Sequence, residues 1–70
     1  MEMIPVNSSN LAAIGYDPDS AVLCIEFKDG SAYEYFHVPQ HEYDSLMAAD
    51  SHGTYAHQNI YKRYRQNKIR

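Results

Sequence analysis

Two runs of side chains in this 70-residue sequence have the types and spacing for recognition chemistry. Tyr55, Gln58, Lys62 and Arg65 recur at intervals of three and four, which gathers them on one face of a helix. Lys68 and Arg70 follow. One ring, one amide and four cations suit a nucleic acid: the cations neutralise phosphates and the ring stacks an unpaired base. The same cations also fit a solvated face at the negative end of their own helix, and Tyr55 could fold back onto the helix before it. Just upstream, Ser51, Gly53 and Thr54 form a candidate anion site, because backbone N–H groups at a helix N-terminus point outward. Capping alone also accounts for Ser51 and Thr54.

Other chemistry is disfavoured. His37 and His41 are separated by Pro39, and His52 and His57 fall on different sides of a helix, so no metal is expected. Serines, histidines and carboxylates are present, but no nucleophile elbow, phosphate loop or paired-carboxylate pattern exists. The expectation is a non-catalytic chain with no cofactor. Cys24 is the single cysteine, which excludes an intrachain disulfide and a thiolate zinc cluster; mid-strand, it reads as a buried structural thiol.

Charge is unevenly distributed. All nine acids lie at or before Asp50, whereas five of the six bases (Lys62, Arg63, Arg65, Lys68, Arg70) follow it. An acidic body with a basic end points to a polyanionic partner, or to self-association between complementary ends. The N-terminus has no basic region and no long apolar run, and no stretch approaches the roughly 20 apolar residues of a membrane span. With the cysteine count, this gives a cytoplasmic expectation and no membrane partner.

These residues must be held by a small scaffold. Hydrophobic residues are 44% of the chain, with seven tyrosines and two phenylalanines, enough for one thin-cored domain. Residues 1–9 read as an irregular lead-in, 10–66 as the domain, and 67–70 as a basic tail. Leu11–Tyr16, Val22–Phe27 and Ala32–Phe36 read as strands, with a turn at Asp17-Pro18-Asp19-Ser20. Val38-Pro39 opens a first helix with Glu42 and Asp44 near its positive end and an apolar stripe of Tyr43, Leu46 and Met47. A second helix is expected from about Gly53 to Arg65, burying Ala56, Ile60 and Tyr64. The fold class is α+β: a three-stranded antiparallel sheet followed by two helices packed on one face.

The register of the second hairpin can be chosen on energetic grounds. A two-residue turn at Asp29-Gly30 would pair Ile25 with Glu34 and put a carboxylate on the apolar face. A three-residue turn with left-handed Gly30 pairs Ile25 with Tyr33 and Leu23 with Tyr35. Burying a charge costs several kcal/mol, more than turn types differ, so the bulged turn is expected. Tyr33 and Tyr35, which could otherwise stack bases on an open sheet, then lie beneath the helices as core.

The order of several short motifs resembles the KTSC domain, a family named for its occurrence at the C-terminus of some lysyl-tRNA synthetases and also found as stand-alone bacterial proteins. The motifs are Ser8-Ser9-Asn10, Ile14-Gly15-Tyr16-Asp17, Phe27 three residues before Gly30, Tyr33-Glu34-Tyr35, Val38-Pro39, Ala49 to Tyr55, and Ile60 to Tyr64, covering about residues 6–66. The resemblance implies the fold and supplies no catalytic residues. Its link to a synthetase favours RNA as partner; a protein partner or a homodimer is the alternative.

Overall fold

The hairpin at the centre of the sheet forms where charge burial required. In the computed structural model, which describes residues 1–70, β3 (Val22–Phe27) pairs with β4 (Ala32–Tyr35) in the register Leu23↔Tyr35, Cys24↔Glu34 and Ile25↔Tyr33. Gly30 takes φ 95° in the turn, a left-handed conformation that suits glycine. Asp29 Oδ1 accepts from the Ser31 backbone N–H at 2.9 Å and from its hydroxyl at 2.6 Å, which fixes the turn. Glu34 therefore faces away from the helices, beside Cys24.

β2 (Leu11–Asp17) lies on the other side of β3, and a bulge between Leu11 and Ala13 interrupts its alternation. One extra residue there lets both Leu11 and Ile14 point at the helices, where neither is exposed. Two further strands complete the sheet. β1 (Met3–Pro5) pairs with β2, and β5 (Gln66–Lys68) pairs with β4, giving an antiparallel meander β1-β2-β3-β4-β5. The sheet has five strands rather than the expected three. The lead-in and the basic tail each contribute an edge strand of three residues, too short to show alternation. Backbone bonds to a neighbour hold them, and a sheet edge tolerates Pro5.

Two helices lie between β4 and β5. α1 (Gln40–Ala48) starts after Pro39, and α2 (His52–Asn59) is capped by Ser51, whose side chain accepts from the Thr54 N–H at 3.2 Å. The second helix was expected to run to Arg65 but ends at Asn59. The Tyr61 N–H still reaches the Ala56 carbonyl, Tyr64 bonds back to Ile60, and the chain then straightens so that the Arg65 carbonyl can accept from Phe36 N–H. Pairing β5 with β4 thus competes with the last helical turns and wins.

Both helices cover the same sheet face. Leu11, Ile14, Leu23, Ile25, Tyr35, Val38, Leu46, Ala56 and Ile60 form the core beneath them, with Tyr33, Tyr43, Met47 and Tyr64 partly buried around it. Each fully buried Leu or Ile contributes about 1.5–3 kcal/mol. No helix is long and apolar enough to cross a membrane.

Candidate functional site

The bases of the C-terminal segment do not form one face. Because α2 stops at Asn59, Lys62 lies in a turn and Arg65 in extended chain, out of line with exposed Gln58. Tyr55 turns inward and its hydroxyl donates to Glu42 Oε2, so it is not a free stacking surface. Glu42 is only 6% exposed and also accepts from the Tyr64 hydroxyl at 2.9 Å, with Arg63 at 3.9 Å. Arg70 pairs with Glu26 and donates through Nε to the Gly30 carbonyl at 3.1 Å. Among the C-terminal bases, Lys62, Arg65 and Lys68 have no carboxylate within 4 Å.

At the candidate anion site, Ser51 already satisfies one backbone amide. Ser51 Oγ accepts from Thr54 N–H and donates to Thr54 Oγ1 at 3.0 Å. A Cβ on Gly53 would lie 2.8 Å from Asn10 Oδ1, so the glycine lets the Asn10 side chain approach the start of α2 closely. Cys24 is buried on the other sheet face, where burial first, then Glu34 and Glu26, push its thiol pKa up. That is the environment of an unreactive thiol. His52 Nδ1 lies 2.9 Å from the Leu46 carbonyl, and no three His, Cys, Asp or Glu side chains converge as metal ligands would.

Aromatic rings instead gather where β3, β4 and the turn after α2 meet. Tyr35 is buried, as its register requires, whereas Tyr33 and Phe27 are half-buried. Phe27 meets Tyr33 edge-on at 5.9 Å, Tyr33 lies 6.4 Å from Tyr35, Tyr35 stacks at 6.0 Å on Tyr61, and Tyr61 returns to Phe27 at 6.1 Å. The four rings and Gln66 surround an open cleft of about 240 Å³. Phe27 and Tyr33 also line an adjoining groove of about 370 Å³ bordered by Asn10, Lys28, Asp29 and Ser31. Lys68 stands directly across from Tyr33 on the same sheet face. Asp29 is the one carboxylate on either wall, and its bonds to Ser31, before any other influence, hold its pKa below the usual range.

Sequence reasoning placed Tyr33 and Tyr35 correctly against the helices and missed that Tyr33 stays half open. It did not single out Phe27, Lys28 or Tyr61 as site residues. Their one sequence signal is that Phe27 and Tyr33 flank the same turn.

Comparison with known proteins places this arrangement among close likenesses. A family profile described as KTSC domain matches residues 7–64. A protein of Tsukamurella paurometabola is 40% identical over 63 residues, covering 90% of this chain and 94% of its own. A lysine–tRNA ligase of Nostoc sp. is 33% identical over 67 residues, covering 96% of this chain but 12% of the ligase. Among solved structures, a KTSC domain protein from Yersinia pestis superposes with a TM-score of 0.93 at 36% identity, covering 99% of this chain and 97% of that one.

Proposed function

The chain belongs to the KTSC domain family, and from that premise we propose that it is a non-catalytic domain that binds single-stranded RNA along the Phe27–Tyr33 groove. The facing pair of Tyr33 and Lys68 carries this reading: a half-open ring and an unpaired cation share one sheet face. Lys28 lines the groove itself, beside Asp29. Base stacking on such a ring contributes about 1–3 kcal/mol per base, and the cations supply phosphate attraction.

The net charge of −3 argues against a polyanion only if it is spread evenly. Glu26 and Glu34 lie on the opposite sheet face, and Glu42 is buried. RNA is favoured over DNA because a related segment forms 12% of a lysine–tRNA ligase. Self-association finds less support, since Pro5 on β1 and Lys68 on β5 both blunt the sheet edges.

Fluorescence anisotropy with a labelled single-stranded RNA tests the reading. Binding should weaken steeply with salt and fall at least fivefold in Tyr33→Ala, consistent with the loss of one stacked base. Absence of binding by wild-type protein at low salt would remove the proposal.

A further inference from the structure

We infer that the open cleft lined by Phe27, Tyr33, Tyr35 and Tyr61 is a site for one unstacked nucleobase, with the Tyr61 hydroxyl as the group that recognises its edge. This deepens the RNA reading and rests on it for the polymer, though not for the base itself.

The first observation is the aromatic lining. The rings form a closed circuit with centroids 5.9 to 6.4 Å apart, towards the loose end of aromatic contact distances. In an ordinary core such rings close upon one another. Here they leave a cleft of about 240 Å³ open to solvent, room for a single planar ring system rather than a length of chain. Flat walls of this kind offer dispersion and stacking surface to another flat ring.

The second observation is independent of the first. The Tyr61 hydroxyl is buried and has no hydrogen-bond partner. Three other partly buried tyrosines are satisfied: Tyr16 donates to the Val38 carbonyl at 2.5 Å, and Tyr55 and Tyr64 donate to Glu42. Buried polar groups in folded proteins are nearly always paired, so an orphan on a residue that lines a cleft marks a position where a ligand atom can supply the bond. The hydroxyl is closed off from solvent as the chain stands, so exposed Gln66, the one non-aromatic wall residue, must swing aside for a ring to reach it. Its amide adds a donor and an acceptor for the same edge.

An aromatic-lined cleft can also hold a quaternary ammonium group through cation–π attraction. The charge nearest the cleft favours the base. Lys68 faces Tyr33 across the strand pair, while no carboxylate lines the cleft. A cation entering there meets like charge, whereas a nucleotide brings a neutral ring and a phosphate that Lys68 attracts.

NMR titration of the full chain with adenosine monophosphate, uridine monophosphate, ribose 5-phosphate and choline tests this directly. At least one of the two nucleotides should shift the ring signals of Tyr33, Tyr35 and Tyr61, whereas ribose 5-phosphate and choline should not. Tyr61→Phe should weaken the nucleotide about three- to tenfold, the worth of one hydrogen bond, with no loss of thermal stability because the hydroxyl has no partner to lose. Equal binding by Tyr61→Phe, equal shifts from ribose 5-phosphate, preference for choline, or no shift from either nucleotide would each overturn the pocket. Nucleotide binding without oligonucleotide binding would sustain the pocket and remove the RNA reading. Oligonucleotide binding that leaves the Tyr61 ring signals unmoved would do the reverse.

Discussion

Glu42 on the first turn of α1 accepts a hydrogen bond at 2.9 Å from the hydroxyl of Tyr64, 22 residues further on. The same carboxylate receives the Tyr55 hydroxyl from α2, so one nearly buried side chain ties α1 to α2 and to the turn leading into β5. Hydrogen bonds to charged groups are worth about 1.5–3 kcal/mol each, and removing a shared acceptor leaves its donors unpaired. Glu42→Ala should therefore destabilise the domain by about 2–4 kcal/mol. Tyr64→Phe, which leaves the Tyr55 bond in place, should cost about 1 kcal/mol. Urea unfolding at neutral pH measures both, and equal costs would show that the carboxylate does not act as the shared tie.

Alkaline pH should loosen the fold. Five of the seven tyrosines (Tyr16, Tyr35, Tyr55, Tyr61 and Tyr64) have pKa values raised above the ordinary 10.0, with burial the first cause for all but Tyr55. For Tyr55 the bond to Glu42 comes first. A phenol with a raised folded-state pKa keeps its proton in the folded chain after the unfolded chain has lost it. Its contribution is complete below the unfolded value and disappears as pH rises through the folded one. Stability should hold steady towards pH 9 and fall from about pH 10 upward. Urea midpoints measured across that range decide it, and a flat profile to pH 11 would contradict the burial described for these rings.

Backbone strain predicts opposite outcomes at two turns. Ala21 has φ 57° and Gly30 has φ 95°. A residue with a Cβ pays about 1–2 kcal/mol for left-handed backbone. Gly30→Ala should destabilise by about that amount, although nothing within 4 Å would obstruct its Cβ. Ala21→Gly relieves the same strain against a higher unfolded-state entropy, and should be neutral or stabilising by up to about 1 kcal/mol. Thermal melts of the two variants should move in opposite directions or leave Ala21→Gly unchanged.

Legibility in the sequence followed the size of the free energies involved. The β3–β4 register could be chosen because the wrong one buries Glu34, a penalty larger than any turn preference. β1 and β5 stayed hidden because Met3–Pro5 and Gln66–Lys68 owe their conformation to neighbours far along the chain, not to their own pattern. α2 read too long for a related reason: Tyr64 keeps helical spacing with Ala56 and Ile60, yet it packs from a turn. Glu42 looked like a charge placed for the helix dipole, since neither Tyr55 nor Tyr64 is near it in sequence. The aromatic cleft arises where three separate segments meet, a convergence that linear spacing does not encode.

The close packing around Gly15 gives a test of how β1 is held. A Cβ there would lie 2.5 Å from Met3 Sδ and 2.9 Å from the Glu2 carbonyl oxygen. Methionine can swing aside, but the carbonyl belongs to the backbone next to β1. Gly15→Ala should push β1 off the sheet while sparing the β3–β4 hairpin. Hydrogen exchange should accelerate at β1 and at its partners in β2, and uniform acceleration across all five strands would mean that β1 is not a separable edge.

Charge pairing predicts which C-terminal base matters for RNA. Lys68 and Arg70 are two residues apart, yet Arg70 is spent on Glu26 and the Gly30 carbonyl, whereas Lys68 has no carboxylate within 4 Å. A cation already paired within the protein releases few counterions when it meets a phosphate. Each phosphate neutralised on a single strand adds about 0.7 to the slope of log affinity against log salt. Lys68→Ala should therefore lower that slope by about 0.7 and weaken binding at low salt. Arg70→Ala should leave the slope nearly unchanged, because it frees Glu26 on the opposite sheet face from Tyr33. Titrations at three or more salt concentrations give both slopes. A larger change for Arg70 than for Lys68 would place the RNA on the sheet face away from the helices.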